Sequence, residues 1–318
     1  MNTLVVSGSP HIQSEQTTNK IMWSVVIALI PAFLTGIYFF GFSALWVTLV
    51  SVAACVVVEW AIQKYLIKGK LTINDGSAVI TGMLLAFNLP ANVPLWIVII
   101  GAIVAMGIGK MSFGGLGKNP FNPALVGRVF LFLSFPTFVA MSQWVEPHPI
   151  FDTALADAVT GPTPLSMIKR GQSPDILMLF LGKTGGSFGE VSALAILIGG
   201  IFLMFRKVIT WHIPVAFIGT AFIFSAILYW IDPVQYANPL IHILAGGMML
   251  GAVFMATDMA TSPTTKVGQL IFGAGCGILT ILFRSFGPMP EGVSFAILIM
   301  NAVTPLINKG IKPTRFGH

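Results

Sequence analysis

Ten apolar runs parted by short polar turns fill the chain: Ile21–Phe40, Ser43–Ile62, Ala78–Leu89, Val93–Gly109, Pro123–Met141, Val191–Phe205, Ile209–Ile231, Ile241–Ala256, Val267–Phe283 and Val293–Ile307. Most approach the ~20 apolar residues that carry a helix across a hydrocarbon layer about 30 Å thick. The pattern predicts an all-α integral membrane protein of about ten transmembrane helices and no water-soluble domain of any size. The first 20 residues are polar and hold no apolar h-region, so no cleaved signal peptide is expected. The first helix then serves as the insertion signal.

An internal repeat is visible. Thr81-Gly82-Met83-Leu84-Leu85-Ala86 reads like Gly246-Gly247-Met248-Met249-Leu250-Gly251, about half a chain later. Ten runs split into five plus five, and an odd number per copy sends the second copy in from the opposite side, an inverted repeat. The third and eighth runs are short and correspond, and short or broken helices in matching positions point to a midplane site. The expected organisation is a cytoplasmic tail (1–20), a first five-helix repeat (21–141), an extracytoplasmic loop (142–190), a second repeat (191–308) and a cytoplasmic tail (309–318). That loop exceeds what a connection needs, and long loops are uncommon unless they work or are disordered. It also carries the apolar stretch Ile176–Leu181, more than a flexible linker would hold.

Composition agrees: 55% of the 318 residues are hydrophobic and 9% charged, against roughly 25% charged in a soluble domain. The net charge of +6 resides in loops, where it reports orientation and predicts no nucleic-acid partner. With a cytoplasmic N-terminus, the inner loops hold Lys20, Lys64, Lys68, Lys70, Lys110, Lys118, Arg206, Lys207, Lys266, Lys309, Lys312 and Arg315. The outer loops hold only Lys169, Arg170, Lys183 and Arg284, which places both termini in the cytoplasm. All seven tryptophans fall at or near helix ends, where an amphipathic ring prefers to sit. Cys55 and Cys276 lie within apolar runs and read as packing residues; no metal site is expected.

Charges and amides near the runs each carry two readings. Glu59 and Arg128 lie inside helices within reach of an interface, to which long side chains snorkel. Asp75, Asp258 and Glu59 are candidates for cation handling because ionisable groups at such depths are functional by default, yet Asp75 before Gly76 and Ser77 is also a helix N-cap. Asn122-Pro123 opens a helix as cap and first-turn proline, while Asn119 and Asn122 are also placed to polarise a bound cofactor or an ion between the halves. Gly182-Lys183-Thr184 is no phosphate loop, because the motif needs Gly at position 177 and finds Leu177.

In the long loop, Asp157-Ala158-Val159-Thr160-Gly161-Pro162-Thr163-Pro164-Leu165-Ser166 is turn-rich with hydroxyls. It resembles the flavin-attachment motif of the family formed by the D subunit of the Rnf ion-translocating oxidoreductase and the B subunit of the sodium-pumping NADH:quinone oxidoreductase. There an acidic residue leads into Ser/Thr-Gly-Ala-Thr, whose last threonine carries FMN through a phosphoester. The corresponding residue is Thr163, with Asp157, Thr160 and Gly161 as the rest of the motif and Pro162 where the family usually has Ala. Further blocks resemble the family in order: Asn74-Asp75-Gly76-Ser77-Ala78, Gly117-Lys118-Asn119-Pro120-Phe121-Asn122-Pro123-Ala124, Gly186-Ser187-Phe188-Gly189-Glu190 and Ala256-Thr257-Asp258-Met259-Ala260-Thr261-Ser262-Pro263. The length favours the Rnf protein.

The resemblance implies a fold like that of urea transporters and a multi-pass subunit in the cytoplasmic (inner) membrane of a prokaryote. It implies electron transfer between ferredoxin and NAD coupled to movement of Na+ or H+, with covalent FMN on Thr163 and a second, non-covalent flavin, riboflavin, among the helices. Lys169 and Arg170 are candidates to pair with the FMN phosphate, against the plainer reading of solvated loop charges. The chain has no ferredoxin-type cysteine cluster and no dinucleotide fingerprint. Partner subunits must therefore supply the iron–sulfur centres and the NAD site, and the chain alone completes no reaction. Two other readings stay open: a component like the B subunit of the quinone reductase, and a flavin-free channel or transporter of the same fold.

Overall fold

A computed structural model of the protein describes residues 17–68, 71–139, 144–147, 160–233, 235–287 and 291–312. Helices dominate. Thr17 caps α1 (Thr18–Phe40) by accepting from the Lys20 amide, and Gly41, at φ 67°, ends it in a conformation side-chain-bearing residues avoid. Next come α2 (Phe42–Ala61), prolonged by wider turns over Ile62–Ile67, and α3 (Ser77–Phe87). α4 (Leu95–Ile103) likewise widens through Val104–Lys110. The first half closes with α5 (Pro123–Ser134) and the single turn α6 (Pro136–Val139).

Between the halves, β1 (Trp144–Val145) pairs antiparallel with β2 (Thr160–Gly161), and two short helices follow, α7 (Pro164–Lys169) and α8 (Ile176–Leu181). The second half comprises α9 (Ala193–Phe205), α10 (His212–Ile231), α11 (Pro239–Leu244), α12 (Met248–Leu250, widening through Gly251–Met255), α13 (Lys266–Phe286) and α14 (Val293–Gly310).

Among the described residues, six helical stretches are long and apolar enough to cross a membrane: Thr18–Phe40, Phe42–Ile67, Leu95–Phe113, His212–Ile231, Lys266–Phe286 and Val293–Gly310. Their outward faces show Leu34, Trp46, Val57, Ile223 and Ile227 to the surroundings, an apolar coat that hydrocarbon covers and water would not. This is a mostly helical, multi-pass membrane protein.

One apolar core runs through both halves, joining Phe39 and Leu85 to Phe217 and Phe254. α1 packs on α9 and α5 on α14, so the halves share it. Small residues let the backbones meet, as they do between helices in membranes. A Cβ on Gly82 of α3 would lie 2.6 Å from the Val52 Cα of α2, and Ser51 Oγ donates to the Gly82 carbonyl at 2.8 Å.

Each of the ten predicted runs contains helix, with instructive differences. The fifth run stops at Ser134, because Pro136 denies the chain a donor and disfavours helix at Phe135. The eighth is broken over residues 245–247, where Gly246 takes φ 63°, and resumes at Met248. The fourth runs on past Gly109, so Lys110 lies in a helix and not in the loop expected for it. Arg284, expected in an outer loop, is in α13 and 5% exposed. Nor do Glu59 and Arg128 snorkel: each is 1% exposed and ion-paired inside the protein, since a partner there costs less than stretching a buried stem to the surface.

Candidate functional site

Two polar sites lie at opposite ends of the helical core. α3 connects them: Ser77 at its start lines one, while Phe87 at its end packs its ring 5.7 Å from Phe188, beside Ser187 of the other.

The first is built around Thr163. The β1–β2 pairing sets Trp144 opposite Gly161 and delivers the chain to α7, where Thr163 is the N-cap, its hydroxyl oxygen accepting from the Ser166 amide at 3.2 Å. Capping uses a lone pair and leaves the O–H bond, so an ester at this oxygen is compatible with the cap. Thr163 opens onto a cavity of about 230 Å³, whose walls include Trp144, Ser187, Glu190 and Glu291. Asp157 lies outside the described residues, and of Thr160 only the backbone pairing with Val145 is described. Lys169 and Arg170 sit at the far end of α7 from Thr163, both exposed, and Lys169 donates to the Gly287 carbonyl at 2.9 Å. The geometry therefore does not bring these two bases to the threonine.

Charges that the sequence reading did not assign to this site stand there instead. Arg128 of α5 pairs with Glu291. Arg284 of α13 gives one guanidinium nitrogen to the His242 carbonyl and another, at 2.8 Å, to the Ala245 carbonyl, which serves the broken end of α11. Glu190 is 7% exposed and in no ion pair among the described residues. Burial pushes its carboxyl well above the usual range, the neighbouring Glu291 charge pushes the same way, and Arg128 and Arg284 pull it back. The Ser187 hydroxyl lies beside that carboxyl without a well-aligned hydrogen bond. The signal in the sequence was the rule that charge within apolar segments finds partners; the partners lay too far along the chain to pair by inspection.

A flavin phosphoester fits these residues in chemistry. The hydroxyl is at hand, and the cavity beside it is lined by the buried Ser187 hydroxyl, which has no hydrogen-bond partner, and by the carboxyls of Glu190 and Glu291. At about 230 Å³ the cavity is smaller than the roughly 300–1,000 Å³ of ligand pockets. A cavity of this size would admit only part of such a group.

The second site gathers the other sequence candidates. Lys110, 1% exposed, donates to Glu59 at 2.8 Å and to Ser77 Oγ at 2.7 Å. Asp75 accepts from the Ser77 amide at 2.8 Å and its hydroxyl at 2.5 Å, but the N-cap position expected of it belongs to Gly76, so it holds the first residue of α3 from one position before the cap. Asn122 caps α5 through the Ala124 and Leu125 amides and also donates to the Met255 carbonyl at 3.2 Å, linking the halves. Asn119 donates to the Phe121 carbonyl, while its own amide oxygen is buried without a partner.

Lys110, Asn119, Asn122 and Asp258 line one cavity of about 80 Å³, which adjoins a groove of about 670 Å³ reaching Asn301. Asp258 accepts from the Ala260 amide and the Thr261 hydroxyl; burial raises its pKa and these hydrogen bonds lower it. So Glu59, Asp75, Asp258, Asn119 and Asn122, separate candidates in the sequence, form one neighbourhood around Lys110, a residue the sequence left in a loop.

Comparison with known proteins shows the family. Residues 5–317 match the model of the NQR2, RnfD, RnfE family. The chain is 45% identical to the D subunit of the Na(+)-translocating ferredoxin:NAD(+) oxidoreductase complex of Acetobacterium woodii, over 99% of this chain and 95% of that one. It is 43% identical to the D subunit of the proton-translocating ferredoxin:NAD(+) oxidoreductase complex of Clostridium ljungdahlii, over 99% and 97%. It is 37% identical to the D subunit of the ion-translocating oxidoreductase complex of Halorhodospira halophila, over 97% and 94%. A match from near one terminus to near the other, with relatives of nearly equal length, places the chain in the NQR2, RnfD, RnfE family.

Proposed function

We propose that this chain is the membrane subunit of an Rnf-type complex and carries FMN on Thr163 by a phosphoester, in a complex that couples electron transfer between ferredoxin and NAD to translocation of Na+ or H+. The observation that carries the reading is the placement of Thr163: a capping hydroxyl at the mouth of a cavity walled by buried carboxyl and hydroxyl groups. The relatives' names support the complex and the coupling, and two of similar identity are named for different ions.

Flavin supplies one- and two-electron chemistry when bound; the protein supplies place and potential. Thr163 holds the phosphate end, Phe132 and Trp144 offer apolar and aromatic wall, and Glu190 and Ser187 offer polar contacts. In the proposed topology ten helices form two inverted five-helix repeats of the urea-transporter-like kind, with both termini in the cytoplasm of a prokaryotic cell. Thr163 then faces outward, where a covalent tether prevents loss of the group to the exterior. The second neighbourhood, around Lys110, Asn119 and Asn122, is the place proposed for the non-covalent riboflavin. Its carboxylates Glu59, Asp75 and Asp258 are proposed to serve cation passage, and iron–sulfur and further flavin subunits complete the reaction.

Chain made in its native host, denatured and run on a gel, should fluoresce as flavin, and Thr163→Val should be dark while still inserting in the membrane. A dark native band defeats the reading. A fluorescent Thr163→Val band moves the attachment elsewhere.

A further inference from the structure

Glu190 is a buried carboxyl with no ion pair among the described residues, although two arginines lie close by. Neither closes an ion pair with it. Arg128 pairs with Glu291 and leaves its Nη1 without a partner, and Arg284 gives its two terminal nitrogens to the carbonyls of His242 and Ala245 and leaves its Nε without one. Its carboxyl stands against Gly247, where a Cβ would come 2.5 Å from its Oε1. What remains open to it is the cavity that Thr163 also lines.

Three roles are available to such a group. A structural carboxylate would be paired, because an unpaired buried charge is costly. A cation ligand would not have two guanidinium groups behind it, since they repel the ion. A protonated carboxyl, by contrast, is a hydrogen-bond donor at neutral pH, as apolar sites make of carboxylic acids elsewhere. Its proton removes one negative charge and leaves the two arginines facing Glu291 alone, a surplus of one positive charge, which favours electron-rich groups in the cavity.

We propose that Glu190 is a positioning residue that donates its carboxyl O–H to the ring of the flavin on Thr163, with Arg284 supplying the positive charge behind it. This rests on the reading of Thr163 above. The carboxyl proton stays on Glu190 throughout; no bond is made or broken at this residue.

Redox infrared difference spectroscopy on the purified complex tests it, alongside potentiometric titration of the covalent flavin. The native protein should show a protonated-carboxyl stretching band that shifts with the oxidation state of the flavin. Glu190→Gln should lose that band but keep the potential at neutral pH, because an amide still donates. Glu190→Ala should lose the band and lower the potential. If the band survives in Glu190→Gln, or if neither variant alters band or potential, the inference is wrong. Should Glu190→Ala fail to accumulate, the loss or survival of the band in Glu190→Gln decides alone. A native band dark in denaturing gels condemns the Thr163 reading; a fluorescent one with an unmoved infrared spectrum condemns only the role of Glu190.

Discussion

The two ends of the core handle buried charge in opposite ways. Around Lys110 one ammonium faces three carboxyls, those of Glu59, Asp75 and Asp258, the last with its pKa raised by burial, beside unsatisfied amides. Around Thr163 two guanidiniums face two carboxyls, of which Glu190 is pushed toward its neutral form, an excess of positive charge. A low-dielectric interior sustains such local imbalance, because water does not screen it. One chain thus offers a cation-favouring end and an anion-favouring end, joined by the short helix α3. Counted in the sequence, the charges sum to minus two around Lys110 (one cation, three carboxylates) and to zero around Thr163 (two of each), and burial then shifts the balance at both ends.

The harshest way to break this contrast is to unpair a buried charge. Lys110→Met should strand the buried Glu59 and cost about 3–5 kcal/mol, and Arg128→Met should cost less, because the Glu291 side chain is 20% exposed and keeps Arg284 nearby. Unfolding in detergent, followed by tryptophan fluorescence, measures both. Adding Glu59→Gln to Lys110→Met should recover much of the loss, since the partners act as a unit. No recovery would mean that Lys110 stabilises through something other than Glu59. A milder cut is Asn122→Ala, which removes the α5 cap and the link to the Met255 carbonyl. Loss of the cap alone costs about 1 kcal/mol, and the same unfolding assay reads it.

The smallest effect concerns pH. A folded pKa raised at Asp258 means its stabilising contribution is complete below the unfolded value of about 3.9 and is lost as pH rises through the folded value. The unfolding midpoint of Asp258→Asn should therefore gain on the native protein as pH is raised from 4 to 7. A gain in the opposite sense would show the aspartate to be stabilised as the anion.

Much of the fold was legible because apolar runs and helices are the same objects in a bilayer. Pro136 and the Gly246-Gly247 pair, which stop or break helices, were visible as residues, but only packing decided that they act. The wide turns that carry α4 through Lys110 have no signal in periodicity, so a basic residue after an apolar run read as a loop. Thr163 was legible as a motif, and its capping bond follows from Thr-Pro chemistry. Glu190, Glu291, Arg128 and Arg284 were not legible as a cluster, because each belongs to a different segment and only the tertiary structure makes them neighbours.

The account stands or falls on the oxygen of Thr163. Trypsin cleaves after Arg128 and Lys169 and releases a single fragment, residues 129–169, that contains it. In protein from its native host, mass spectrometry should find this fragment heavier by FMN less one water, with fragmentation placing the increment on Thr163. The unmodified mass throughout, or an increment on another residue, contradicts it.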